Sequence, residues 1–178
     1  TKAAAGAELV AGLDLDMGSG DVSSIGADGT ITALGQVTAD ASATSVEAAA
    51  TAQAGDLGTG FSGLGSASDM SVVGLQTNES LAIGDGGSID ADASSTLNAT
   101  ASSVTLDGNA TASMTNNVGL DVDGDGTDAL TVGANGTLNG EANLAATATA
   151  NSIDATATAT ADSDTNVGVD SEGVISIG

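Results

Sequence analysis

Apolar and polar residues alternate along much of this chain with a period of two. One such run, residues 153–161, has Ile or Ala at every second position and Asp or Thr between them. Successive side chains of a strand point to opposite faces, so the pattern predicts strands with one alanine-lined face. Alanine also favours helices, but threonine at alternate positions favours strands because its Cβ is branched. Related runs occupy residues 37–43, 46–53, 97–101, 104–112 and 144–150.

The alternation shifts at three corresponding pairs of residues, which predicts a corner or bulge between two strands. These pairs are Thr44-Ser45, Ser102-Ser103 and Asn151-Ser152. The aliphatic residue after each pair is expected to begin the inward face of the next strand; these residues are Val46, Val104 and Ile153.

Three aliphatic anchors recur along the chain in a fixed order, and the second is the residue after each corner. The first anchor precedes a glycine and occurs at Ile25, Ile83 and Val132. The third also precedes a glycine and occurs at Val73, Val118 and Val167. The first anchor lies 21 residues before the second in every copy, and the basic unit is 45 residues long, with insertions of 13 and 4 residues in two copies. The glycines beside the first and third anchors are expected to form turns that need positive φ.

This period predicts a single tandem-repeat domain over residues 1–178, in which each unit is buried by the next. The domain divides into a partial unit, 1–24, and units 25–82, 83–131 and 132–178, so that both ends fall within a unit. The predicted fold class is all-β, either a tandem-repeat β-solenoid or a stacked β-sheet array of 45-residue units. A β-sandwich is the alternative. A unit of this length suits roughly two coils of a solenoid or one small sheet layer.

Composition limits the function classes. The chain has 24 Asp and Glu residues against one base, Lys2, which gives a formal net charge of −23. Nucleic acid and anionic membrane surfaces would repel such a protein. His and Cys are absent, so Ser/His and Cys/His catalysis cannot occur, and no enzyme activity is expected. No apolar run approaches the roughly 18 residues of a membrane span, so membrane insertion is not expected either.

One acidic stretch has a pattern that suits Ca²⁺. Carboxylates at alternate positions followed by a glycine turn can wrap this ion. The pattern consists of Asp121, Asp123, Asp125 and Asp128, with a weaker N-terminal copy at Asp14, Asp16 and Asp21. The glutamate that would complete an EF-hand loop is replaced by Val132. Calcium is therefore the candidate cofactor, and a solvated acidic loop is the alternative interpretation.

The insertion at residues 53–73 contains the single aromatic residue, Phe61, among many glycines. It is either a surface loop or a self-association contact with Phe61 as its anchor.

Two segments resemble the β-roll heads of trimeric autotransporter adhesins. They are Leu81-Ala-Ile-Gly-Asp-Gly-Gly-Ser-Ile-Asp-Ala-Asp-Ala-Ser and Ser103-Val-Thr-Leu-Asp-Gly-Asn-Ala-Thr-Ala-Ser. The resemblance covers part of each unit, and the 45-residue period is longer than the rung of that family. It implies an extracellular β-repeat protein.

These observations together predict a secreted structural subunit, located outside the cell or at its surface. Its expected partners are copies of itself, joined head to tail in an extracellular filament or surface layer. Exposed sheet edges can template another chain, and proline, which often protects such edges, is absent. The alternative function is a β-solenoid adhesin or fibre segment that binds a surface, a glycan or ice through outward Thr, Asn and Asp side chains.

Overall fold

The structure, a computed structural model, describes residues 1–6, 9–16, 18, 20–47, 50–55, 71–122 and 129–178. Every regular element among them is a β-strand. The strands are β1 Lys2–Ala5, β2 Leu9–Leu15, β3 Val22–Ile25, β4 Thr30–Ser45, β5 Ala50–Gly55, β6 Ser71–Thr77, β7 Ser80–Ile83, β8 Ser88–Ser103, β9 Gly108–Val122, β10 Ala129–Val132, β11 Thr137–Ser152, β12 Ala157–Ser171 and β13 Val174–Ile177. The prediction of an all-β fold is confirmed.

The strands form three sheets, and their pairs are all parallel in the described part of the chain. Sheet A contains β1, β2, β5, β6, β9 and β12; sheet B contains β3, β7, β10 and β13; sheet C contains β4, β8 and β11. The chain passes from sheet A to B to C and back, and we call each such circuit a coil. Coil 1 is β1–β4, coil 2 is β5–β8, coil 3 is β9–β11, and coil 4 consists of β12 and β13. These parallel stacked sheets are consistent with a β-solenoid.

The parallel register sets corresponding anchors beside one another. The first anchors form one column, in which Ile83 pairs with both Ile25 and Val132 and the column ends at Ile177. The third anchors form another, in which Val118 pairs with Val73 and Val167. The chain therefore makes one coil between successive first anchors, and the expectation of two coils was wrong.

The corners lie at the three predicted residue pairs, each of which ends in serine. The aliphatic residues that follow these pairs do not begin an inward face. Sheet C strands end at Ser45, Ser103 and Ser152, and the next strand begins several residues later. Val46 is 63% exposed and Ile153 is 76% exposed. The second anchors sit on the corner itself, where the chain has turned away from both sheets.

The core is divided into two clusters with side chains of different size. One lies between the first half of sheet A and the second half of sheet C and is mainly alanine, for example Ala41, Ala99 and Ala112. The other is enclosed by all three sheets and contains larger side chains, including Leu75, Ile89 and Leu130. Alanine suffices in the first cluster because the two sheets face each other with little space between them.

Glycines separate the two clusters by bringing sheets A and C into backbone contact. A Cβ added at Gly74 would lie 2.6 Å from the backbone nitrogen of Asp92, and one at Gly119 would lie 2.5 Å from that of Glu141. We call this constriction the glycine waist. Gly74 and Gly119 lie inside strands, so the prediction of a turn at the third anchors was wrong. Glycine is needed here for close approach.

The first anchors are followed by stacked tight turns that join sheets B and C. Three residues at equivalent positions have positive φ: Asp28 (58°), Gly86 (69°) and Asn135 (58°). Successive turns are bonded together; for example, the Asp28 amide donates to the Asp85 carbonyl and the Gly86 amide to the Ala134 carbonyl, both at 3.0 Å. Asp, Asn and Gly tolerate this left-handed conformation better than other residues.

Candidate functional site

A groove runs across the outer face of sheet A at the glycine waist. Its volume is about 290 Å³. Its walls are three columns of side chains that the parallel register aligns, one polar, one of valine and one mainly acidic. The lining residues are Ser71, Asn116, Thr165; Val73, Val118; and Gln76, Asp121, Asp170.

The acidic column contains one residue from each of the two predicted calcium segments, with Gln76 between them. Asp14 pairs with Gln76, which in turn pairs with Asp121. Asp170 pairs with Asp121 from the other side. Neighbouring strands lie about 4.8 Å apart, so the Asp121 and Asp170 positions are adjacent while Asp14 is two strands from Asp121.

Asp170 was missed as a candidate although the sequence contained the signal. It follows the third anchor Val167 by three residues, as Asp121 follows Val118. Anchors in register place the residues that follow them in register too. The acidic run around Asp121 predicts metal ligands that are neighbours in sequence, whereas the fold groups residues that are one coil apart.

The other candidate ligands are dispersed or undescribed. Asp16 accepts a hydrogen bond from Asn78 Nδ2 at 2.9 Å, outside the groove. Asp21 is exposed, and its amide donates to the Gly18 carbonyl at 3.0 Å. Asp123, Asp125 and Asp128 lie outside the described residues, as does Phe61 in the predicted insertion.

In the described part of the chain, no group of three or more His, Cys, Asp or Glu side chains is placed to hold a metal ion. Calcium binding by the Asp121 segment remains a prediction. The groove itself offers amide, hydroxyl and carboxylate groups beside a valine floor, an arrangement suited to hydrogen bonding with an extended polar ligand.

Asp92 is an acidic residue whose environment sequence reasoning did not identify. It lies on the outer side of β8 at the glycine waist, and its Oδ1 is buried without a hydrogen-bond partner. Burial, together with the negative charges of Asp90 and Glu141, raises the pKa of the Asp92 carboxyl. Glu141 is its direct ladder neighbour, so like charges lie side by side.

Coil 4 exposes side chains whose counterparts in the same column are buried on the other coils. Ile177 is 76% exposed, whereas Val132, Ile83 and Ile25 in its column are 5%, 3% and 8% exposed. Ala159 is exposed, whereas its ladder partner Ala110 is 1% exposed. Coil 4 therefore presents a core surface to solvent.

This exposure follows from the number of strands in each sheet. Within the described residues, coil 4 has strands in sheets A and B but none in sheet C. The upper edge of β11 is unpaired there, and the inner face of β12 has no strand of its own coil opposite it.

Searches with the chain against protein-family models, curated proteins and solved structures returned no match. Among the described residues, none belongs to a helix of the length and apolarity that crossing a membrane requires.

Proposed function

We propose that the protein is a secreted structural subunit that assembles head to tail into an extracellular filament or surface layer. The observation that carries this proposal is the alignment of like residues from coil to coil in parallel ladders, as in the column Ile25, Ile83, Val132 and Ile177. Burying such side chains against a second copy gains about 25 cal/mol for each Å² of apolar surface removed from water.

Both outer faces of the stack offer parallel strand edges with matching columns. β12 carries Ala159 and Gly168 in the same columns as Ala3 and Gly12 of coil 1, by way of β9, β5 and β6. A second copy can therefore continue alanine on alanine and glycine on glycine. Unprotected edges of this kind favour strand addition.

Electron microscopy of the purified protein in high salt tests the proposal. Ile177→Asp should prevent assembly while leaving the folded subunit intact, because this side chain is already exposed in the monomer. Thr100→Asp is the matched control: it adds the same charge at an exposed position on the central strand of sheet C, away from both edges. A wild-type protein that remains strictly monomeric at high concentration and high salt would overturn the proposal.

The groove on sheet A favours a second candidate function, the binding of a surface or glycan by a fibre segment. Thr156, Thr158 and Thr160 are exposed on or beside β12, in the same sheet. Substituting them with bulky residues should lower binding on a glycan array without preventing polymerisation. Unchanged glycan binding would exclude this face.

A further inference from the structure

The groove on sheet A is produced by a break in strand alternation at the glycine waist. Val72 and Leu75 both belong to the core, although strict alternation would place residues three apart on opposite faces. Gly74 takes up the extra position, so that Val73 and Gln76 both line the groove on the outer face. An extra residue of this kind bends a strand. The glycine waist therefore shapes the outer surface of the sheet as well as the core.

The groove has an apolar floor and runs along the axis on which the coils stack. Val73 and Val118 are ladder partners on the outer face, yet they are only 3% and 4% exposed, because the side chains beside them cover them. The lining residues come from β6, β9 and β12, which belong to three successive coils. One wall carries hydroxyl and amide groups, with Asn116 Nδ2 donating to Ser71 Oγ at 3.4 Å. An extended ligand in the groove would lie across the strands.

The opposite wall gives the groove a negative charge. Asp121 and Asp170 are ladder neighbours there, on strands about 4.8 Å apart. Among the described residues, these two carboxylates are the charged side chains that line the groove. Like charges side by side on a sheet are destabilising, and a positive charge placed between them would remove that cost. The groove is therefore complementary to a cation.

The single basic side chain of the subunit lies too far away to supply this positive charge. Lys2 pairs with Thr51, which pairs with Asn109, and Asn109 precedes Asp121 by 12 residues on the same strand. At about 3.3 Å per residue, the Lys2 column and the acidic wall are about 40 Å apart along the strand. A cation that occupies the groove must come from outside the subunit.

We propose that the groove binds a linear polyamine, with one ammonium group between Asp121 and Asp170 and the methylene chain on the floor of Val73 and Val118. An ammonium group has three donors and no acceptor, and carboxylate oxygens accept such charge-assisted bonds. A second ammonium group can donate to the hydroxyl and amide oxygens of the other wall. This inference is independent of head-to-tail assembly, because the groove lies on the outer face of one subunit. It differs from the glycan candidate because it requires a positively charged ligand.

The lining of the groove favours a polyamine over a metal ion or a neutral glycan. Calcium takes about six to eight oxygen ligands, and a valine floor offers it none. A neutral glycan would leave the two adjacent carboxylates without a counter-charge. A polyamine uses both features, since its amines meet the carboxylates and its methylenes are removed from water against valine.

Isothermal titration calorimetry with spermidine at low salt tests this proposal. We expect saturable binding of one spermidine per subunit. The variant D121N/D170N should bind at least about tenfold more weakly, because hydrogen bonds to charged groups are lost. E47Q/D154N is the matched control: it removes the same two charges at exposed corner positions and should bind nearly as well as the unmodified protein. Circular dichroism checks that both variants are folded, and D170N alone, at an exposed position, gives the comparison if the double variant is not.

A second ligand tests the apolar floor. Hexaamminecobalt(III) has the same charge as spermidine but no methylene chain, so it should bind more weakly. Equal weakening of spermidine binding in the two double variants would overturn the proposal, since it would show attraction by net charge alone. Binding of hexaamminecobalt(III), Ca²⁺, a lysine-rich peptide or an amino-sugar oligomer more tightly than spermidine would also overturn it, as would the absence of saturable binding.

Discussion

Ser95 of β8 donates a hydrogen bond to Asn117 of β9, with 2.9 Å between Ser95 Oγ and Asn117 Oδ1. Both residues are buried, at 2% and 0% exposed, so this bond joins sheets C and A through the core. Asn117 Nδ2 donates in turn to Asn166 Oδ1 at 2.7 Å on the next coil. One amide thus links two sheets and three successive coils.

Asn117→Ala should destabilise the protein by about 1–3 kcal/mol, because the Ser95 hydroxyl is left buried without its acceptor. Urea unfolding measures the loss. Asn116→Ala is the matched control, since Asn116 is half-buried on the groove side and its contact to Ser71 is long, at 3.4 Å. A smaller loss for the double variant S95A/N117A than the sum of the single variants would show that the two side chains act together; strict additivity would contradict the network.

Gly74→Ala should destabilise the protein by at least about 1–3 kcal/mol, the usual cost of overpacking, because the added methyl group meets backbone that cannot rotate away. The nearest atoms are the Gly119 carbonyl oxygen at 2.5 Å and the Asp92 amide nitrogen at 2.6 Å. Gly26→Ala is the control, since a Cβ there has nothing within 4 Å. Thermal unfolding of the two variants compares them, and equal melting temperatures would refute a glycine waist.

Asn135→Ala should cost about 1 kcal/mol or more, because alanine disfavours the left-handed backbone found there. Asn135→Gly should be close to neutral, since the equivalent position on the previous coil is Gly86, also with positive φ. Chemical denaturation of the pair separates the backbone effect from loss of the side chain. Equal destabilisation by alanine and glycine would show that the side chain, not φ, determines the choice.

Asp92→Asn should raise stability at neutral pH. The folded state holds the Asp92 proton more tightly than the unfolded state, since burial and the neighbouring charges of Asp90 and Glu141 raise its pKa. This residue therefore favours folding below its unfolded pKa, and that contribution is lost as pH rises through the raised folded value. The gain from asparagine should accordingly appear above the folded pKa and shrink in acid. Asp154→Asn, at an exposed corner, changes the net charge equally and is the matched control.

Assembly should strengthen as ionic strength rises, because subunits of charge −23 repel one another. Light scattering across a sodium chloride series measures this dependence. A parallel series with CaCl₂, matched for ionic strength and then treated with a chelator, separates screening from specific calcium binding. Filaments that form equally well at low salt would refute control by charge.

The alternation of apolar and polar residues predicted the strands, and the spacing of the anchors predicted which residues are equivalent. Ile25, Ile83 and Val132 were identified as equivalent from spacing alone, and the register makes them ladder neighbours. The exposure of Ile153 was not predictable. The sequence around an aliphatic residue that follows such a pair does not show whether its side chain enters the core or lies on an exposed corner. The groove was missed for a related reason: Asp121 and Asp170 become neighbours only when the number of residues per coil is known.

The close fit at the glycine waist and the buried Ser95–Asn117 pair depend on how near the two sheets approach, which no local pattern reports. A glycine such as Gly74 in an alternating segment is normally interpreted as a turn or bulge. Its role here is set by Asp92 on the facing strand, 18 residues away in sequence.

The division of the core into an alanine cluster and a cluster of larger side chains has a consequence for how such proteins change length. Many columns hold similar residues from coil to coil, such as Ile25, Ile83 and Val132 or Ala41, Ala99 and Ala148, so the surface exposed by removing a coil resembles the surface that was there before. A gene encoding this fold can gain or lose one circuit by duplication or deletion without a new packing solution. The length of the protein is therefore open to variation while its cross-section stays fixed.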